Sequence, residues 1–194
     1  MKQLLLLITL ITITTISFSQ LNKNQFLIGG NASFSSSKYG GGSPLEYKLT
    51  STQIAPNAGF FILSKLAVGG KVSLGYEKYK SSYTTNSNST QLLPYVRYYI
   101  LSPKQKVNLF TEVDYNYTIS KWKGMSGEVL QVNKIKEAGY TIMAGPVFFI
   151  SPSIAIELSL SFTSSKAKGS PYFTDTFMTG LGFQVHLGKN KKAE

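Results

Sequence analysis

Few residues in this chain have the type and spacing that chemistry requires. The chain has no cysteine and a single histidine, His186, so there is no thiolate and no second imidazole for a metal site. A serine–histidine acyl-transfer site needs the imidazole beside the nucleophile. His186 instead falls near the end of the last candidate strand, far from the large loops. We interpret it as a structural, hydrogen-bonding residue.

Glu112 and Asp114 lie two residues apart, as paired carboxylates for acid–base chemistry do. On a β-strand this spacing puts both side chains on one face. Lys71 and Arg97 fall on the corresponding face of other candidate strands, so we expect a structural ion-pair ladder instead. Gly40-Gly41-Gly42 lacks the lysine and the strand-to-helix context of a phosphate loop, and we interpret it as a loop tip. We predict no catalytic residue, metal or cofactor.

The elements that position these residues are strands, because apolar and polar residues alternate with a period of two after residue 24. Eight candidate strands follow from the alternation: 25–35, 52–63, 65–79, 91–101, 108–119, 137–150, 153–163 and 173–187. Their lengths suit a tilted transmembrane strand with a rim. The sequence therefore predicts an all-β fold, an eight-stranded antiparallel up-and-down transmembrane β-barrel.

The two faces of these strands differ in a way that predicts their environment. The apolar faces carry large residues such as Leu74, Val113 and Leu158. The polar faces are rich in small residues, which suit a narrow lumen, and they place opposite charges on different strands. We predict that these charges form a polar network inside the barrel: Lys71, Glu77, Arg97, Glu112, Asp114 and Glu157. A soluble barrel would turn its apolar face inward and expose its charged face to water. Because the polar faces suit the lumen here, we expect the apolar faces to lie outside, in contact with lipid.

Short connections alternate with longer, polar ones, and the short ones belong in the periplasm of an outer-membrane barrel. The predicted long loops are Ser36–Leu49, Lys80–Thr90, Lys121–Lys136 and Ser164–Pro171. Aromatic pairs precede the short turns and predict one aromatic girdle: Phe60-Phe61, Tyr98-Tyr99 and Phe148-Phe149, with Phe26 and Phe183. The opposite girdle would contain Tyr76, Tyr115, Tyr117, Trp122 and Phe162. Prolines inside strands are uncommon, and we expect β-bulges at Pro56, Pro94 and Pro146.

The first 19 residues have the features of a cleaved signal peptide. Lys2 is followed by an apolar run from Leu4 to Ile16 and by the small residues of Ser17-Phe18-Ser19. The run is too short for a transmembrane helix and no basic cluster follows it. We therefore predict a barrel over 20–188 and a short basic periplasmic tail over 189–194. The net charge of +11 comes from scattered lysines, which we interpret as rim charges, and nucleic acid is excluded as a partner.

Four segments of the chain carry a resemblance to a known family: Phe18-Ser19-Gln20, Pro56-Asn57-Ala58-Gly59-Phe60-Phe61, Leu66-Ala67-Val68-Gly69-Gly70 and Pro94-Tyr95-Val96-Arg97-Tyr98-Tyr99. With these segments the chain resembles the outer-membrane β-barrel domain common in Bacteroidota, related in architecture to small OmpA/OmpX-type barrels. The resemblance covers the whole mature chain and implies the fold and a Gram-negative outer membrane. The family's usual closing aromatic is absent, because the last strand ends at Leu187.

These observations lead to three functional hypotheses. The first is a non-catalytic outer-membrane barrel with a structural or surface-interaction role. Its long loops would present Tyr39, Tyr47, Tyr83 and Trp122 to a surface polysaccharide or a protein. The second is a narrow porin-like channel, and the third is a soluble lipocalin-like ligand-binding barrel. For the first we expect a monomer whose partners are outer-membrane lipid and, during insertion, the outer-membrane assembly machinery.

Overall fold

The computed structural model describes residues 21–39, 47–81, 84–126 and 129–188. The predicted signal peptide over 1–19 and the tail over 189–194 lie outside the described residues, as do Gly40-Gly41-Gly42 and Tyr83. Within the described ranges, no helix has the length and apolarity needed to span a bilayer.

Eight antiparallel strands close into one barrel, each paired with its neighbours in sequence. The strands are β1 (Phe26–Tyr39), β2 (Tyr47–Leu63), β3 (Leu66–Lys80), β4 (Thr84–Tyr99), β5 (Val107–Ser126), β6 (Val129–Ser151), β7 (Ile154–Ala167) and β8 (Phe173–Leu187). The barrel closes where β1 pairs with β8, with Phe26 opposite Leu187 and Ala32 opposite Leu181. The predicted eight-stranded, antiparallel, up-and-down barrel is confirmed.

The alternation of residue types decides which face each side chain takes. Leu74, Val113 and Leu158 lie on the outer face with about half of their surface exposed. Lys71, Glu112 and Glu157 point into the lumen and are at most 3% exposed. Large apolar side chains therefore lie on the outside of the barrel and these three charged side chains lie within it, as the sequence predicted.

The barrel has two distinct ends. The terminal end holds the first and last described residues and the turns at 64–65, 100–106 and 152–153. The loop end holds the other four connections. The strands extend much further toward the loop end than predicted, and β5 and β6 pair as far as Ser126 opposite Val129. The predicted long loops Lys80–Thr90 and Lys121–Lys136 were therefore mostly wrong. In the predicted loop Ser36–Leu49, residues 36–39 and 47–49 belong to strands, and 40–46 lie outside the described residues.

The prolines do not produce β-bulges, and this prediction was also wrong. Beside Pro56, the pairs Ile54↔Leu74 and Asn57↔Lys71 keep one register, with a gap in the β2–β3 ladder between them. Matching gaps lie beside Pro94 and Pro146, each toward the following strand. Since proline has no N–H to donate, a local gap on one side accommodates it while pairing to the preceding strand continues. The register of these ladders shifts only beside the short turns, between Phe61 and Leu63 and between Phe149 and Ser151.

The aromatic pairs before the short turns divide between the two faces. Phe60, Tyr98 and Phe148 face outward, as a girdle requires, whereas Phe61, Tyr99 and Phe149 are buried inside. Successive residues of a strand point to opposite faces, so both members of a pair cannot belong to the girdle. Trp122 is likewise not in the opposite girdle, because it lines the lumen.

Candidate functional site in the barrel lumen

Five of the six charged residues predicted in the lumen form one connected network. Lys71 Nζ contacts Glu112 and lies 3.3 Å from Asp114 Oδ2. Arg97 Nε donates to Glu112 Oε2 at 2.6 Å, and its Nη1 donates to Glu157 Oε1 at 2.5 Å. Two cations thus hold three carboxylates together.

The strand registers explain how residues so distant in sequence meet. Arg97 on β4 lies directly opposite Glu112 on β5, while Lys71 comes from β3, on the other side of β4. Glu157 belongs to β7, which does not pair with β4, so its contact with Arg97 crosses the lumen. Gln184 on β8 extends the network by donating to Glu157 Oε2 at 3.2 Å.

The network is almost completely removed from water, since its paired side chains are at most 5% exposed. Burying charges is costly unless each has a partner, and removing one partner of a buried pair costs about 3–5 kcal/mol. Such a network adds less to net stability than its contacts suggest, but it strongly penalises any arrangement that leaves a charge alone. It therefore holds β3, β4, β5 and β7 at fixed positions around the lumen.

Glu77, the sixth predicted member, does not join the network. It lies nearer the loop end, opposite Ser51 on β2 and Ser87 on β4, and it lines a cavity there. Among the described residues it takes part in no ion pair. The sequence placed Glu77 on the correct face, but the face alone did not give its depth along the barrel.

An aromatic shell surrounds Arg97, and the sequence reasoning missed it. The Arg97 guanidinium lies 4.5 Å from the ring centroid of Phe110 and 5.9 Å and 6.0 Å from those of Tyr95 and Tyr99. Rings at these distances attract a cation through their negative faces. The sequence could have predicted part of this shell, because Tyr95, Arg97 and Tyr99 occupy every second position of one strand and therefore share a face.

Between the network and the terminal end, apolar side chains fill the lumen. This apolar plug consists of fully or almost fully buried residues: Leu21, Leu27, Phe61, Ala67, Tyr99, Phe110, Val147, Phe149 and Ala155. Leu21, which precedes β1, is held by its carbonyl oxygen, which accepts a hydrogen bond from the Lys65 N–H at 3.0 Å. Nothing in the sequence around Leu21 marked it as part of the interior.

His186 lies inside the plug and is 3% exposed. Its ring is 5.4 Å from the Phe149 ring, 5.7 Å from the Phe61 ring and 6.1 Å from the Tyr99 ring. The three aromatic rings thus enclose the imidazole at the terminal end. The position supports the structural interpretation of His186.

On the loop-end side of the network, the lumen contains a polar cavity of about 340 Å³. Its wall consists mainly of hydroxyl and amide side chains, and it extends from Lys71 and Asp114 to Trp122 and Thr174. In the part of the chain that the structure describes, no group of three or more histidine, cysteine or carboxylate side chains is placed to hold a metal ion.

The barrel is similar to solved structures of small bacterial barrels. Neisserial surface protein A aligns over 83% of this chain and 96% of its own, with a TM-score of 0.50 and 14% identity. The fold is shared. The outer membrane protein OprG from Pseudomonas aeruginosa covers 86% of this chain and 99% of its own, with a TM-score of 0.48 and 16% identity. The N-terminal barrel domain of OprF from the same organism covers 85% and 98%, with a TM-score of 0.44 and 14% identity.

No protein-family model and no curated protein sequence matches the chain. At 14% identity, the likeness to Neisserial surface protein A supports the architecture and carries no information about activity. Function must therefore be inferred from the two faces of the barrel and from the filled lumen.

Proposed function

We propose that this chain is a small outer-membrane β-barrel protein of a Gram-negative envelope, with a structural or surface-interaction role and no catalysis. One observation carries the proposal: at the level at which the lumen holds the buried ion network, the outer face of the barrel is apolar. We call the exposed apolar residues of the outer face, such as Leu74, Val113 and Leu158, the apolar belt. Water outside would leave this belt exposed, whereas a bilayer would cover it. The terminal end, with the chain ends, would face the periplasm.

The lumen supports a closed barrel in preference to a channel. The ion network and the apolar plug fill the terminal half, and an eight-stranded barrel has room for little more than its side chains. The polar cavity would then be a recess on the loop side. A lipocalin-like barrel needs an apolar cavity inside, but Leu74, Val113 and Leu158 point outward, which counts against that hypothesis.

The predicted partners are part of the same proposal. Outer-membrane lipid would contact the belt, and the assembly machinery would act on the barrel during insertion, after removal of the signal peptide over 1–19. Kinship with the Bacteroidota-type barrel domain is supported by the segments that begin at Pro56 and Pro94, each with an outward proline and an inward aromatic before the turn. An alignment of related sequences that lacked both features would contradict that kinship.

Membrane fractionation combined with gel electrophoresis tests the proposal. The expressed full-length chain should sediment with the outer membrane and migrate differently before and after boiling, because a folded barrel resists detergent until it is heated. Recovery in the soluble fraction with a single, heat-independent band would contradict it.

A further inference from the structure

Exposed lysines are concentrated at one level on the outside of the barrel. We call this set the lysine band: Lys48, Lys78, Lys80, Lys121, Lys123, Lys134, Lys136 and Lys166, all exposed. They lie on the outward-facing positions of β2, β3, β5, β6 and β7, toward the loop end. They are strand residues, not loop residues, so the fold fixes their height on the barrel wall.

The band lies directly beyond the apolar belt. On β3 the outward residues run from Leu66 to Tyr76 without a charge, and Lys78 and Lys80 follow. In a strand tilted by about 40°, the stretch from Leu66 to Tyr76 rises about 25 Å, which is the height of a lipid-facing belt. In the proposed membrane orientation, the band therefore lies at the head groups of the outer leaflet.

The strand registers place like charges side by side in this band. Lys48 lies directly opposite Lys80, and Lys121 lies directly opposite Lys134. Like charges directly opposite on one face destabilise a sheet. Lys48, Lys78 and Lys80 also line a cleft of about 280 Å³ together with Thr50, which provides three ammonium groups and a hydroxyl.

The barrel itself supplies little compensating charge at this level. In the described ranges, Asp175 is the acidic side chain on the outer face near the band, and no lysine of the band takes part in an ion pair. Lys166 packs against the Phe173 ring at 5.1 Å. Among the described residues, the positive charge of the band is therefore largely uncompensated.

We infer that the lysine band binds the phosphate groups of anionic lipid head groups in the outer leaflet, with the cleft of Lys48, Thr50, Lys78 and Lys80 as its most developed site. This inference names a partner for the proposed function and rests on it. Each lysine near an anionic membrane surface contributes attraction that is screened by salt. Lipid is favoured over a soluble polyanion because the band follows the upper edge of the belt on five strands.

The association of spin-labelled lipid with the barrel in phosphatidylcholine vesicles tests the inference. Spin-labelled phosphatidic acid should associate more strongly than spin-labelled phosphatidylcholine. The triple variant K48Q/K78Q/K80Q should weaken this preference by at least about tenfold at low salt. The control variant K23Q/K104Q/K106Q removes the same charge from exposed lysines at the terminal end. It should keep most of the preference for phosphatidic acid over phosphatidylcholine.

Three outcomes would overturn the inference: no preference for phosphatidic acid, a preference unchanged in K48Q/K78Q/K80Q, or an equal loss in the control variant. The first outcome would favour a soluble acidic partner for the band instead of lipid. Heat-modifiability of every sample separates these outcomes from failure of the barrel proposal. A variant that folds but shows no lipid preference contradicts the inference alone, whereas a wild-type chain that does not form a heat-modifiable barrel contradicts the proposed function.

Discussion

Arg97 is the residue on which most of the lumen network depends. It bridges Glu112 on a neighbouring strand and Glu157 across the lumen, and it is surrounded by three aromatic rings. Its role is to bring charges from separate strands to one place. The same contacts make it intolerant of replacement, because both carboxylates stay buried when the guanidinium is removed.

Replacing Arg97 with leucine should destabilise the barrel by about 3–5 kcal/mol, since it leaves Glu157 without its cation and Glu112 with only Lys71. Urea unfolding in detergent or vesicles measures the effect. Lys104→Leu is a control that removes an exposed cation outside the lysine band and should change stability by no more than about 0.5 kcal/mol. An Arg97→Leu midpoint equal to that of the wild type would show that the network contributes nothing.

Among individual residues, the sequence predicted faces well and depths poorly. Period-two alternation placed Lys71, Arg97, Glu112, Asp114 and Glu157 inside because the register of side chains along a strand is strict. It could not show that Glu77 lies too near the loop end to reach them, since depth depends on how each strand is staggered against the next. Leu21 was missed because it precedes the first strand and has no alternation to reveal it.

At the scale of elements, tight packing between strands is concentrated at particular glycines. A Cβ added at Gly145 on β6 would collide with the backbone carbonyl oxygen of Leu158 on β7. By contrast, a Cβ at Gly70 on β3 would have no atom within 4 Å. The two glycines therefore provide a matched test of how closely β6 approaches β7.

Gly145→Ala should destabilise the barrel by about 1–3 kcal/mol, because the backbone of β6 or β7 must move to accommodate the methyl group. Gly70→Ala should be close to neutral. Urea unfolding midpoints of the two variants, measured side by side, check the prediction. Equal midpoints for both would mean that β6 and β7 lie further apart than described.

The number of strands was predictable and their loop-side ends were not. Inside the apolar belt, the contrast between lipid and lumen forces alternation, so each strand is visible in the sequence. Beyond the belt neither face must be apolar, and the strands include polar segments that resemble loops, such as 84–90 on β4 and 121–126 on β5. The bulges expected at the prolines failed for a different reason: a gap in one ladder accommodates each proline without changing the register.

A charge introduced at the middle of the belt should be more costly than the same charge at its upper edge. Val72→Lys should reduce the free energy of unfolding in vesicles by about 2–4 kcal/mol, because position 72 lies near the middle of the belt on β3. Thr52→Lys, close to the upper edge of the belt, should cost about 1 kcal/mol or less. Unfolding titrations in vesicles measure both, and an equal cost at the two positions would argue against a bilayer around β2 and β3.

At the scale of the whole molecule, the barrel combines a filled terminal half with a polar recess on the loop side. The ion network and the apolar plug leave no room for a wide pore. The recess of about 340 Å³ is lined mainly by hydroxyl and amide side chains, with the charged residues Lys71, Glu77 and Asp114 among them. From the terminal end to the loop end, the outer face likewise changes from the uncharged belt to the lysine band. The proposed surface-interaction role at the loop end is consistent with this arrangement.

The wild-type barrel in a planar bilayer should give no discrete conductance steps, because side chains occupy the lumen at the level of Arg97 and Tyr99. Single-channel recording measures this directly. Regular steps of reproducible size, seen with the folded barrel and absent from a boiled sample, would contradict a closed lumen and favour the channel hypothesis.

The orientation of the two faces is tested most directly by single-cysteine spin labels, since the chain has no cysteine of its own. Labels at Leu74→Cys, Val113→Cys and Leu158→Cys in vesicles should collide readily with oxygen, which concentrates in hydrocarbon, and poorly with a water-soluble nickel chelate. A label at the exposed Lys78→Cys should collide readily with the nickel chelate and poorly with oxygen. If the three belt positions were open to the nickel chelate and shielded from oxygen, the outer face would be in water and the membrane assignment would be wrong.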